Sequence, residues 1–413
     1  MSVGETKWKL GDYAVCLRVL DLRDSATTDL PSSVAKLQHL SRCQHLPALG
    51  QLPFLKFLHI EGLDAVKGIG SEFYGSNISN ASSFPSLEDL SIFRMVNLVE
   101  WSDHISSSSS SSFSLLQRLK VKFCPKLTTM PTQFPSLKVL EFIVCNGKAV
   151  RSLVECNLTS LTSVSIEKCE ELVFLPQGLL RENNILQKLG VNNCRNFEGF
   201  ISAQGFEEEE EHIQLPPNNS LHTLMLLGCP SLNSWPSIRG FNSLSFLVIK
   251  GCKRQKSMLT GIETLPKLGY LAIGPFSEEL DSYPFPAANI EQEASAGDYF
   301  PSLCSLQIDG WSKLNCLPDR IQYISSLKDL YILDFPTLEV LPEWLGNLTS
   351  LRELRICGCK NLNYMPSLEK MLCLTSLQQL KIRNCSLLAA RCKQGGEESN
   401  KLFHIPKIVI VEE

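Results

Sequence analysis

The sequence predicts an α/β repeat solenoid, in which short parallel strands, one per repeat, stack into a concave β-sheet with mostly loop or short 3-10 turns on the convex side. Three observations predict it. A leucine triad recurs fourteen times, a further apolar position follows all but the first triad, and a proline marks many of the crossings beyond it.

The triad is leucine, two residues, a leucine or valine, one residue, then a third apolar residue. It reads Leu55-Leu58-Ile60, Leu116-Leu119-Val121, Leu224 between Leu221 and Leu226, Leu327-Leu330-Ile332 and Leu351-Leu354-Ile356, among others from Leu17 to Ile382. Of the thirteen intervals between successive third anchors, eight fall between 21 and 26 residues and five between 29 and 38. The shorter class lies within the leucine-rich-repeat period of roughly 20–29. The second and third anchors are two residues apart, so in a strand both point to one face. A single unit cannot bury that face alone, whereas stacked units share a continuous core.

Three residues past the third anchor the chain needs another buried side chain. Eight copies use cysteine: Cys124, Cys145, Cys169, Cys194, Cys229, Cys252, Cys359 and Cys385; five others use Leu63, Met95, Phe276, Trp311 and Phe335. A thiol there packs as a small hydrophobe and offers a weak donor to turning backbone. A ladder of metal ligands is the competing reading. It is disfavoured because phenylalanine and tryptophan fill the same slot, and metal sites require closed ligand sets.

Nine residues after the third anchor, six copies place Met130-Pro131, Leu175-Pro176, Trp235-Pro236, Leu317-Pro318, Leu341-Pro342 and Met365-Pro366. Proline removes a donor and sets φ where the chain leaves the sheet. Insertions are expected outside the strands at Gly68 to Ser83, Ser106 to Ser112, Glu207 to Glu211 and Ala287 to Gly297, and the phase slips between Leu30 and Pro53. The domain organisation expected is an N-terminal cap over 1–16, the solenoid over 17–390 and a C-terminal cap over 391–413. Within that last segment, Leu402 to Val411 reads as an apolar closing strand.

A formal net charge of −4, with 20 % charged residues, gives no general attraction to nucleic acid. No apolar run has membrane-spanning length, and the stretch from Met1 lacks a signal-peptide core. A cytoplasmic location with reduced cysteines is therefore expected. Phosphate-loop, dinucleotide, zinc-protease and nucleophile-elbow motifs are all missing, and the histidines are scattered. No enzyme activity, cofactor or metal is expected.

The unit L-x-x-L-x-I-x-x-C-x-x-L-x-x-L-P resembles the repeat region of plant nucleotide-binding leucine-rich-repeat disease resistance proteins. The blocks LPALGQLPFLKFLHIEGLDAVKGIGSEFYG and FPSLEDLSIFRMVNLVEW are similar to a stretch typical of the coiled-coil subclass, and ARCKQGGEESNKLFHIPKIVIVEE to the family's C-terminus. The resemblance implies a leucine-rich-repeat horseshoe that recognises a pathogen effector or a host protein and restrains a nucleotide-binding module. That module's own residues are missing from this sequence.

Residues flanking the second and third anchors point away from the core. Around Val121 they form a basic patch of Arg118, Lys120 and Lys122. Further on they include Met225, Leu227, Phe246, Val248, Tyr270, Tyr331, Leu333, Arg352 and Arg355, which are expected to form one contiguous partner-binding patch on the concave face. Two other readings of this patch stand: scattered apolar residues without a role, and a docking face for a nucleotide-binding module. The function expected is a non-catalytic protein-recognition module of plant innate immunity. A substrate adaptor of a ubiquitin ligase, and a truncated remnant without independent function, are the alternatives.

Overall fold

Alternation of buried and half-exposed residues builds most strands of the sheet. In the computed structural model, which describes residues 19–22, 44–75, 83–103, 112–201, 220–286 and 299–412 apart from 155, 157, 182, 234–237 and 239, the chain forms two compact units, 1–208 and 209–413. The expected N-terminal cap, most of the phase slip, nearly all of the serine run, the glutamate run and Ala287 to Gly297 lie outside the described residues.

The first unit carries seven parallel sheet strands: β1 (Val19–Leu22), β2 (Phe57–Glu61), β4 (Asp89–Phe93), β6 (Arg118–Cys124), β7 (Val139–Cys145), β8 (Ser163–Glu167) and β10 (Lys188–Asn192). The second carries eight: β12 (Thr223–Leu227), β13 (Phe246–Lys250), β14 (Tyr270–Gly274), β15 (Ser305–Asp309), β16 (Asp329–Leu333), β17 (Glu353–Cys357), β18 (Gln379–Arg383) and β19 (Lys407–Val411). Among the described residues, fourteen of the fifteen hold the second and third anchors of a predicted triad; the last is the closing strand expected between Leu402 and Val411.

Anchors pair with anchors. Leu354 lies beside Leu330 and Leu380, and Ile356 beside Ile332 and Ile382, all with no exposed surface. Each such side chain contributes roughly 2 kcal/mol of burial. A one-residue slip would turn them all to solvent, so the register is strongly specified. Most described repeats within each unit are joined in the same way. The carbonyl of Arg352 accepts from the backbone N–H groups of both Gln378 and Gln379, as that of Lys328 does from Arg352 and Glu353.

The eight turn cysteines are all buried, and each thiol donates to the carbonyl two residues earlier, at 3.1 to 3.6 Å. The residue just before each cysteine is left-handed: Phe123, Val144, Lys168, Asn193, Gly228, Gly251, Gly358 and Asn384 have φ between 50° and 70°. That turn folds the thiol inward beneath its own strand. Glycine suits position 358, where φ is 70° and a Cβ would displace the Asp334 carboxylate.

Opposite the sheet, among the described residues, lie loops, 3-10 turns and five short α-helices: α1 (Ser71–Tyr74), α2 (Gly147–Val154), α3 (Gly178–Arg181), α4 (Leu368–Leu372) and α5 (Ser386–Cys392). Pro318 and Pro342 immediately precede 3-10 turns at Asp319–Tyr323 and Glu343–Asn347, using their fixed φ as the crossing requires. The segment from Gly68, expected outside any strand, instead contains β3 (Gly68–Ile69), which pairs with β5 (Glu100–Trp101), followed by α1. Its physical reason is aromatic. Phe73 and Tyr74 are buried, and the Tyr74 hydroxyl donates to the Ser102 carbonyl while accepting from Trp101 Nε1. A second small ladder pairs β9 (Phe174–Pro176) with β11 (Gly199–Ile201).

Candidate functional site: the solvent face of the second sheet

Strand parity sends every second residue of β12–β19 to the side away from the anchors, and the register aligns these residues in rows across the unit. One row runs Thr223, Phe246, Tyr270, Ser305, Asp329, Glu353, Gln379. The next runs Met225, Val248, Ala272, Gln307, Tyr331, Arg355, Lys381.

The structure therefore brings together Met225, Leu227, Phe246 and Tyr270 on three adjacent strands. Phe246 and Tyr270 stack almost parallel, with centroids 4.4 Å apart and planes inclined by 6°. Burial raises the Tyr270 pKa, and the nearby Asp309 charge adds to the effect. Val248 occupies the expected face yet is only 7 % exposed, so it offers little surface. It lies in the middle row, flanked by the aromatic stack on one side and by Lys250 on the other.

The patch is not one continuous apolar strip. On β15 it is interrupted by Ser305, Gln307 and Asp309, before Tyr331 and Leu333 resume it on β16. Asp309 is buried and pairs with Lys250 at 2.7 Å, while its other oxygen accepts from Gln307 Nε2 at 3.0 Å. Burial raises its pKa, an effect that the bonds from Gln307 and Lys250 oppose. Reading the flanks of the Ile308 anchor by the same parity rule would have exposed this polar break. The Lys250 partnership would not have been found that way, because it joins residues two strands apart.

At the far side the Arg355 guanidinium lies 4.8 Å over the Tyr331 ring and donates to Glu353 at 3.0 Å; Lys381 donates to the same carboxylate at 2.8 Å. Burial raises the Glu353 pKa, but these two cations outweigh it and hold the carboxyl below its ordinary value. Arg352 is exposed just ahead of β17. In the first unit, the expected basic patch is largely matched by acids: Arg118 pairs with Asp89 at 2.7 Å and Lys122 with Glu141 at 2.9 Å. Lys120 lies between Ser91 and Glu141 in register. Among the described residues no group of three or more metal-ligating side chains occurs.

Residues 317–385, from the Leu317-Pro318 crossing through β18, match the family model described as R13L1/DRL21 leucine-rich repeats. Those residues carry leucine-rich repeats of the R13L1/DRL21 type. The chain is 31 % identical over 225 residues to the Arabidopsis thaliana disease resistance RPP13-like protein 1, covering 53 % of this chain and 20 % of that protein. It is 32 % identical over 130 residues to the Arabidopsis thaliana disease resistance protein At3g14460, covering 31 % of this chain and 9 % of the relative. A third Arabidopsis thaliana relative, SUPPRESSOR OF npr1-1, CONSTITUTIVE 1, is 24 % identical over 290 residues, covering 60 % and 19 %. The matches thus span no more than a fifth of the length of these relatives. Repeats of this kind form a non-catalytic scaffold whose chemistry is that of its surface.

Proposed function

We propose that the chain is a recognition module of plant innate immunity that binds a protein ligand, a pathogen effector or a host protein, on the solvent face of its second sheet. The observation that carries this reading is the Phe246–Tyr270 stack, set beside Met225 and Leu227 on three adjacent strands. Aromatic side chains on a rigid sheet lose little entropy on binding, and a half-exposed apolar cluster of this sort suits an interaction hot spot. The disease-resistance relatives support the immune setting. A cytoplasmic location belongs to the same reading.

A photo-crosslinking amino acid at Met225, in the chain expressed in pathogen-challenged plant tissue, should capture a discrete protein. The double variant Phe246→Ser, Tyr270→Ser should lose that product without a change in Tm. Undiminished capture by a folded double variant would sink the reading.

A further inference from the structure

The solvent face of the second sheet changes chemistry from one side to the other. β12–β14 present Met225, Leu227, Phe246 and Tyr270, whereas β17 and β18 present Arg355, Lys381 and Arg383. Glu353 is the acid on that face of β17 and β18, and it already accepts from both Arg355 and Lys381. One carboxylate balances one cation. Arg383 and Arg352 are exposed in addition, and the acids of the preceding repeat, Asp329 and Asp334, reduce the excess without reversing it. Between the two regions the Lys250–Asp309 pair is neutral as a unit.

We propose that the occupant of this face is a segment of a partner protein with apolar or aromatic side chains at one end and acidic side chains at the other, lying across the strands. The inference rests on the recognition reading above and adds the chemistry and spacing of what is recognised. The apolar end faces the Phe246–Tyr270 stack, and the acidic end faces Arg352, Lys381 and Arg383. The two ends are held in line because the rows run in unbroken register from β13 to β18. Parallel strands lie about 4.8 Å apart, so five spacings separate the ends by about 24 Å. An extended peptide covers that distance in about seven residues. Complementary charge of this kind selects among apolar partners that the aromatic stack alone would accept equally.

The test uses the full chain and fluorescent peptides carrying Phe-Leu at one end and Glu-Glu-Asp at the other, read by anisotropy. Spacers of about two and about seven residues are compared. The longer spacer is expected to bind at least about fivefold tighter, and raising NaCl from about 50 to about 500 mM should weaken it. The double variant Arg352→Glu, Arg383→Glu, both positions being exposed, should weaken it about tenfold at unchanged Tm.

Equal binding of the two spacers, or of a peptide with Gln-Gln-Asn in place of the acids, would overturn the proposal. So would tighter binding of a single-stranded oligonucleotide of similar charge, or no binding of any peptide to the folded chain. The two readings fail separately. Crosslinking from Met225 that the Phe246→Ser, Tyr270→Ser variant abolishes and the charge-reversed variant leaves intact would retain recognition and reject the acidic chemistry.

Discussion

The Lys250 ammonium reaches over β14 to the Asp309 carboxylate at 2.7 Å, although the two residues stand on strands that do not touch. The residue beneath that path is Gly274, in register with Lys250. The backbone is left-handed at φ 94°, and an added Cβ would collide with the Asp309 carbonyl and lie 2.7 Å from the Tyr283 hydroxyl.

Gly274→Ala is therefore expected to destabilise the protein by about 2 kcal/mol, combining backbone strain with overpacking. Urea denaturation of the two proteins checks this. A midpoint equal to that of the parent would show that the close approach at Gly274 is not stabilising.

Val144 makes the opposite case. It is β-branched and yet left-handed at φ 53°, at the turn position that Asn193 and Asn384 fill elsewhere. A β-branched residue is a poor fit to this region, whereas asparagine enters it readily. Val144→Asn should raise stability by about 1 kcal/mol, and Asn193→Val should lower it by a similar amount. Thermal melts in which both changes lower Tm would refute this account of the turn.

Glu353 links Arg355 and Lys381, and its pKa is lowered in the folded state. A lowered carboxylate contributes stability that is fully present above its unfolded pKa, about 4.3, and is lost as pH falls through the folded value. The expected size is about 1 kcal/mol, because the cluster is partly solvated. Glu353→Gln should flatten that part of the acid limb of a stability–pH profile. An unchanged acid limb would mean that the triad adds nothing to stability.

Burial pushes the thiols of Cys124, Cys145 and Cys252 up to about 12. Little thiolate exists at neutral pH, so these side chains should resist alkylation in the native protein. Cys316 and Cys373 are exposed and should react first. Iodoacetamide labelling followed by peptide mass spectrometry distinguishes them, and early modification of Cys124 would contradict the buried turn.

β19 and the segment before it cover the last triad. Leu402 and Ile405 are buried, and the backbone of Lys407 donates to the Gln378 carbonyl. Removing residues 402–413 exposes Leu380 and Ile382, and is expected to cost about 4 kcal/mol from the two buried side chains alone. A truncated chain melting at the parent temperature would show that the segment does not close the core.

What could be read along the chain was whatever repeats within one unit. Two-residue parity makes Leu354 and Ile356 inward and Arg355 outward, and a turn three residues later buries Cys359, all without reference to any distant residue. The same rule puts Phe246 and Tyr270 opposite the anchors, and the register aligns them in one row. Relations between units were set by tertiary structure alone. Whether Val248 is open or covered, and whether Lys250 finds Asp309, depends on which side chains the stacking places in adjacent rows. Those neighbours come from segments separated by loops of unequal length, so no local period encodes them. β3 and α1 escaped detection for a related reason: they are held by Phe73, Tyr74 and Trp101 meeting across a repeat, and contacts of that kind exist only once the repeats have stacked.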